Sequence, residues 1–261
     1  MAKRYYVRGT KIACEEDATH EFKGHRNICK EDIPPWTVDE KSGKATRKAI
    51  SRALNGFLNT GKGGTVYLGI PDDGLVLGLQ LNQYQKDHVV TSVDEVMTRY
   101  TPKVDPSRYK IRFTPVVLNN ATPEEIQAVL NYQAEENVDV KSRQRPHVVR
   151  TYQPCWCDKE TNALLHNDIL VPTYVIEITI KPWNQNDPNQ KGIGKLNLHP
   201  IHADEEGRVY FRRQAGLVQY TLPEIDSMAR HIVQDYYQRR IRLLRMELSH
   251  LAAQRPRDTG R

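Results

Sequence analysis

Three acidic residues stand in two short motifs whose residue types suit phosphoryl chemistry. The first motif is Glu16-Asp17-Ala18-Thr19-His20-Glu21-Phe22-Lys23, and the second runs from Gly63-Gly64-Thr65 through an apolar stretch to Asp72-Asp73-Gly74. Gathered by the fold, Glu16, Glu21 and Asp72 would form a pocket of hard oxygen ligands. Such a pocket suits Mg²⁺ or Mn²⁺, and those ions suit phosphodiester cleavage. In an extended strand alternate residues share a face, so Glu21 and Lys23 point one way and Phe22 points into the core. Lys23 would then offset phosphate charge or orient the phosphate beside the carboxylate. Glu16 lies five residues before Glu21 and needs a bend, bulge or helical turn to reach the same face. On residue pattern alone Glu15 or Asp17 could take its place, and the whole motif could be a solvated strand with a Glu21–Lys23 pair.

The stretch Gly56-Phe57-Leu58-Asn59-Thr60-Gly61-Lys62-Gly63 nearly matches a phosphate-binding loop of nucleotide hydrolases. Two features exclude that reading. The position after Lys62 needs a Ser or Thr hydroxyl for Mg²⁺ and holds Gly63, and the loop should join a strand to a following helix, not the reverse. The glycines instead let the chain leave a helix and turn into a strand.

Other side chains are candidates for lesser roles. Cys155-Trp156-Cys157 offers thiolates that could bind zinc with His147, His166, His199 or His202, with His166 taken as the third ligand. A single intervening residue is short for a structural zinc pair, and two semi-buried cysteines in a loop are the alternative. His20 and His25 flank the acidic motif and could move protons. Arg47, Lys48, Arg52, Arg212 and Arg213 are candidate phosphate contacts.

The elements that must position these residues follow from periodicity. Ala49, Ile50, Ala53, Leu54, Phe57 and Leu58 repeat at helical spacing, with Arg47, Lys48 and Arg52 on another face. Thr65 to Ile70 reads as a strand, Asp73-Gly74 as a hairpin turn, and Leu75 to Gly78 as its return strand. Residues 87–100 form a second helix with Val89, Val93, Val96, Met97 and Tyr100 as its apolar stripe. Tyr109 to Leu118, Val171 to Ile180 and Arg208 to Arg212 read as strands. Residues 26–44 and 184–196 read as loops. Residues 119–150 form a polar insertion, partly disordered, with a helical turn or two after Thr122-Pro123. Pro223 to about Gln254 is helical, with Tyr237, Ile241, Leu244, Leu248 and Leu251 at alternating four- and three-residue steps.

Composition narrows the classes. The chain has 261 residues, 27% of them charged, and a net charge of +6, a modest bias towards polyanions. No stretch is apolar enough to cross a bilayer, and the start lacks the apolar core of a signal peptide, so a cytoplasmic or nuclear location is expected. The four cysteines are expected to be reduced or metal-bound.

Together the two motifs resemble the Schlafen family and its AlbA-type relatives. The resemblance rests on Glu16, Glu21-Phe22-Lys23, Phe57-Leu58-Asn59-Thr60, Gly63-Gly64, Tyr67-Leu68-Gly69-Ile70, Asp72 and Gly78. Val209 to Gln219 resembles the family's closing strand. The resemblance implies an α+β lobe over residues 1–222, with a mixed sheet and packed helices, and a C-terminal helix with a frayed basic tail over 223–261. It also implies a metal-dependent endoribonuclease acting on structured or precursor RNA such as transfer RNA. Glu16, Glu21 and Asp72 would then hold Mg²⁺ or Mn²⁺, and Lys23 would assist. A non-catalytic nucleic-acid-binding or scaffold subunit is the alternative. The family's zinc pattern, a His-x-Cys followed by adjacent cysteines, has no clear counterpart here. Longer members carry two lobes, so a second copy or another Schlafen-like chain is an implied partner.

Overall fold

The computed structural model describes residues 5–38, 46–136, 145–192 and 197–254. The parts of the insertion and loops at 39–45, 137–144 and 193–196, and the tail beyond 254, lie outside the described residues. Two compact units result, Met1–Gln219 and Tyr220–Arg261.

The first unit is α+β. Its mixed sheet contains β1 (Tyr6–Val7), β2 (His20–Lys23), β3 (Gly64–Leu68), β4 (Leu79–Gln80), β5 (Tyr109–Val117) and β6 (Thr173–Ile180), in the order β1-β5-β6-β3-β2 with β4 also on β6. The run Tyr-Val-Ile-Glu-Ile-Thr-Ile in β6 is β-branched at most positions, which fits a central strand covered on both faces. β6 pairs antiparallel with β3 and β5, while β2 runs parallel to β3 with Glu21 opposite Val66 and Lys23 opposite Leu68.

One face of the sheet carries the main core, in which Val66, Leu68, Ile176 and Ile178 meet α1 (Ile50–Thr60) and α2 (Gln83–Arg99). The other face holds a smaller cluster of Tyr6, Phe22, Ile70, Val76, Val116 and Val175. The α2 stripe is as the periodicity predicts, with Val89, Val93, Val96, Met97 and Tyr100 all buried. Asn82 caps that helix by accepting the Gln85 amide at 2.8 Å.

α1 departs from a simple amphipathic helix, since nine of its eleven residues are buried. Its second face is covered by a hairpin of β7 (Val209–Arg213) and β8 (Gly216–Tyr220). Gly56 permits that approach: a Cβ there would fall 2.5 Å from the Leu217 side chain. Gly61 ends the helix in the left-handed region, at φ 69°.

Three expectations are corrected. Leu75 to Gly78 does not return as a strand on β3, because β2 and β6 already occupy both edges of β3. The chain loops instead, with Leu77 and Gly78 amides on the Gly69 carbonyl, and β4 goes to β6. The insertion contains a full helix, α3 (Pro123–Glu136), and not merely one or two turns. The cysteine segment is not a loop: α4 (Trp156–His166) begins immediately after Cys155. The second unit is a single helix, α5 (Leu222–Gln254). Among the described residues no helix is long and apolar enough to cross a membrane.

Candidate nucleic-acid site and a candidate metal centre

Strand parity places Glu21 and Lys23 as expected. Phe22 packs into the smaller cluster, while Glu21 and Lys23 lie on the α1 side, where Lys23 Nζ meets Glu21 Oε1 at 2.6 Å. β2 is an edge strand, so the backbone groups of His20 and Phe22 have no neighbouring strand to pair with. Side chains fill that edge. Glu16 Oε1 accepts the Phe22 N–H at 2.7 Å, Lys23 Nζ donates to the Phe22 carbonyl at 2.7 Å, and Arg212 Nη2 donates to the His20 carbonyl at 2.8 Å. Glu16 thus reaches the site by a bend that wraps the strand edge.

The same contacts choose among the three neighbouring acids. Asp17 is spent on local structure, its Oδ1 accepting from the Thr19 amide, the His20 amide and the His20 ring. Against the upward push of burial, those bonds hold its carboxyl at about 2. Glu15 is exposed. Glu16 behaves differently. Burial raises its carboxyl above the usual range, the Phe22 amide pulls it down, and Glu21 and Asp72 push it further up. Asp72 sits in the turn after β3, where the Gly74 amide donates to the Pro71 carbonyl at 2.9 Å. Because β2 and β3 are parallel, their C-terminal ends bring Lys23 and Asp72 to the same end of the sheet. His25 belongs there too. Burial, then Arg47 and Lys23, lower its imidazole to about 4, with Asp72 opposing, so the ring is neutral near pH 7.

By type the three carboxylates suit a hard divalent ion, and the mutual repulsion felt by Glu16 is relieved by a cation. In this structure Glu21 is committed elsewhere: Oε1 to Lys23, and Oε2 to Arg212 in a buried ion pair. Among the described residues, Glu16, Glu21 and Asp72 do not form a group with all ligand atoms within 4.8 Å. A metal there competes with Lys23 and Arg212 for Glu21.

The candidate phosphate contacts separate into two kinds. Arg47 and Lys48 precede α1, not on its face, and are exposed. Arg213 is exposed at the end of β7. Arg52 is held by Glu206 at 2.6 Å and lies over the Tyr210 ring. Arg212 is not a surface cation: its side chain is 1% exposed, and it binds Glu21 and the Asp17 and His20 carbonyls. It frames the acidic site from β7. Its part is not readable from local spacing, because 191 residues separate it from Glu21.

A second group lies beside α2. His88, His147, Cys155 and Cys157 each present a ligand atom, all within 4.8 Å of one another, and this His/Cys group can hold a metal ion. His147 was among the sequence candidates, and His88 was not. His166 lies exposed at the end of α4, outside the group. His199 and His202 are engaged elsewhere, with the Leu58 and Pro102 carbonyls respectively.

Residues 16–141 match the family model described as Schlafen, AlbA_2. The matched span holds Glu16, Glu21, Lys23 and Asp72, and ends before β6 and the hairpin that supplies Arg212. The match supports a nucleic-acid-related function and a Schlafen/AlbA-type domain over residues 16–141.

Proposed function

We propose that the protein is a divalent-metal-dependent endoribonuclease, or the catalytic subunit of one, acting on structured or precursor RNA. The observation that carries this reading is the shared electrostatic neighbourhood of Glu16, Glu21, Lys23 and Asp72 at one end of β2 and β3. Mg²⁺ or Mn²⁺ held by Glu16, Glu21 and Asp72 would activate water and offset charge building on the scissile phosphate. Lys23 supplies a fixed cation beside that phosphate. His25, neutral at pH 7, can accept a proton there. Arg47, Lys48 and Arg213 would hold the RNA backbone, giving recognition by shape and a steep dependence on salt.

A non-catalytic RNA-binding subunit is the second reading, and it is favoured by the double ion pairing of Glu21. The test is cleavage of end-labelled structured RNA with Mn²⁺ or Mg²⁺ by the parent, Glu21→Gln and Asp72→Asn. Metal-dependent cutting that falls by at least about 100-fold in both variants is expected. Equal RNA binding by all three proteins, with no cutting under any metal condition, sinks the nuclease and leaves the binder.

The second unit points to self-association. Tyr237, Ile241, Leu244, Leu248 and Leu251 are exposed along α5 at coiled-coil spacing, with Ile241 and Leu244 at positions that favour two strands. A second copy of this chain is the occupant proposed for that seam. Sedimentation should show a parent dimer and a monomer for Leu244→Glu/Leu248→Glu; a monomeric parent at micromolar concentration refutes it.

A further inference from the structure

Four soft or borderline ligands from separate places in the sequence converge beside α2. His88 comes from that helix, His147 from the segment before α4, Cys155 from the residue that precedes α4, and Cys157 from its first turn. This placement explains how a Cys-x-Cys pair can serve. Cys155 is extended, at φ −68° and ψ 165°, while Cys157 is helical, so their thiols turn to one point despite a single intervening residue.

The spacing fits a tetrahedral ion. His88 Nδ1 lies 3.6 Å from Cys157 Sγ, and His147 Nδ1 lies 3.7 Å from Cys155 Sγ. A regular tetrahedron with Zn–S of about 2.3 Å and Zn–N of about 2.05 Å has an S···N edge of roughly 3.6 Å. The surroundings fit as well. His147 Nε2 is 3.1 Å from Asp87 Oδ2, the carboxylate partner that fixes a metal-ligating histidine by its other nitrogen. With that nitrogen given to Asp87, Nδ1 presents its lone pair to the cluster. Cys155 Sγ accepts the Val148 amide at 3.3 Å, a bond that supports a thiolate. Trp156 stacks on the His147 ring with centroids 5.0 Å apart, and the His147 side chain is 4% exposed.

We propose that His88, His147, Cys155 and Cys157 bind one zinc ion in a closed, structural site. Two thiolates and two imidazoles exclude Mg²⁺ and Mn²⁺ as residents and favour zinc. The ion joins α4 and the chain leading into it to α2. Asp158 reinforces that junction, accepting from Arg26, from Gln85 Nε2 at 2.8 Å and from the Cys155 amide at 3.0 Å. The proposal is independent of any nuclease activity, because it concerns ligands outside the acidic site.

The test uses the full chain, purified without chelator and freed of any metal-binding tag. Elemental analysis should find about one zinc per chain. Cobalt exchanged into the site should show the visible bands of tetrahedral, thiolate-bound Co²⁺. Cys157→Ser and His88→Ala should lose the metal, while His166→Ala keeps it. His88→Cys preserves four ligands, so it should retain zinc and intensify the sulfur-to-cobalt charge-transfer band. This variant guards against a loss that merely reflects misfolding. A parent that carries no zinc and gives no tetrahedral cobalt spectrum overturns the site, as does zinc retained in both Cys157→Ser and His88→Ala.

Discussion

Arg212→Met is expected to destabilise the protein by about 3–5 kcal/mol, the cost of removing one partner of a buried ion pair. Arg212 is 1% exposed and Glu21 is 8% exposed at the side chain, so neither can turn to water. Methionine matches much of the volume but none of the donors. It leaves the Asp17 and His20 carbonyls without the bonds that Arg212 gives at 2.8 Å each. Lys23 remains on Glu21, which keeps the loss below that of a wholly isolated buried charge. Denaturant unfolding of the parent, Arg212→Met, Glu21→Gln and the double variant measures the coupling. The double variant should be more stable than the two single losses sum to, because neutralising Glu21 removes the stranded charge. A single Arg212→Met variant within about 1 kcal/mol of the parent would show that the pair is solvated after all. The consequence for chemistry is separate from stability. A divalent ion would compete with Arg212 for Glu21, and Glu21→Gln in turn leaves the buried Arg212 guanidinium without its counter-charge, so Glu21→Gln should also destabilise the fold while abolishing any metal-dependent cutting.

Local order was largely legible in the sequence, and long-range partnership was not. The α2 stripe from Val89 to Tyr100 and the β-branched run of β6 declare themselves because each is written in a few consecutive residues. The opposite orientation of Phe22 to Glu21 and Lys23 follows from strand parity alone. What parity could not reveal was how Glu16 joins them. That depends on the open edge of β2, whose Phe22 amide needs an acceptor and finds Glu16. The hairpin expected after β3 failed for a topological reason: Asp73-Gly74 does make a turn, but β3 has no vacant edge to receive a return strand. Arg47, Lys48 and Arg52 read as one cationic helix face, yet the helix begins at Ile50 and Arg52 is drawn to Glu206. The His/Cys cluster illustrates the same limit. His147 lies eight residues before Cys155 and was within reach of spacing arguments, whereas His88 is 69 residues before Cys157 and is supplied by the packing of α2 against α4.

Asn59→Ala is expected to cost about 3–4 kcal/mol, which is large for the loss of one amide from a helix. The reason is the number of buried groups this side chain satisfies. Asn59 Nδ2 donates to the His202 carbonyl at 2.9 Å, the Tyr210 carbonyl at 3.0 Å and Asn55 Oδ1 at 3.0 Å. Its Oδ1 accepts the His202 amide at 2.7 Å. Asn55, one turn earlier, accepts the Tyr210 amide at 2.8 Å and also donates to the His202 carbonyl. Two asparagines on α1 therefore stand in for a missing strand, pairing with the backbone of His202, before β7, and of Tyr210, within it. Alanine leaves the Tyr210 carbonyl and His202 amide buried without those partners. Aspartate should be no better, since it keeps the acceptor, loses the donors and buries a charge. Because Arg212 follows two residues after Tyr210, loosening this segment also loosens the grip on Glu21. Hydrogen exchange should register that directly: the His202 and Tyr210 amides should lose protection in Asn59→Ala, while amides of α2 far from the segment keep theirs. Retained protection at both amides, with stability within about 1 kcal/mol of the parent, would mean that water or a shifted Asn55 replaces Asn59, and that the Phe-x-Asn-Thr stretch holds its asparagine for some other reason.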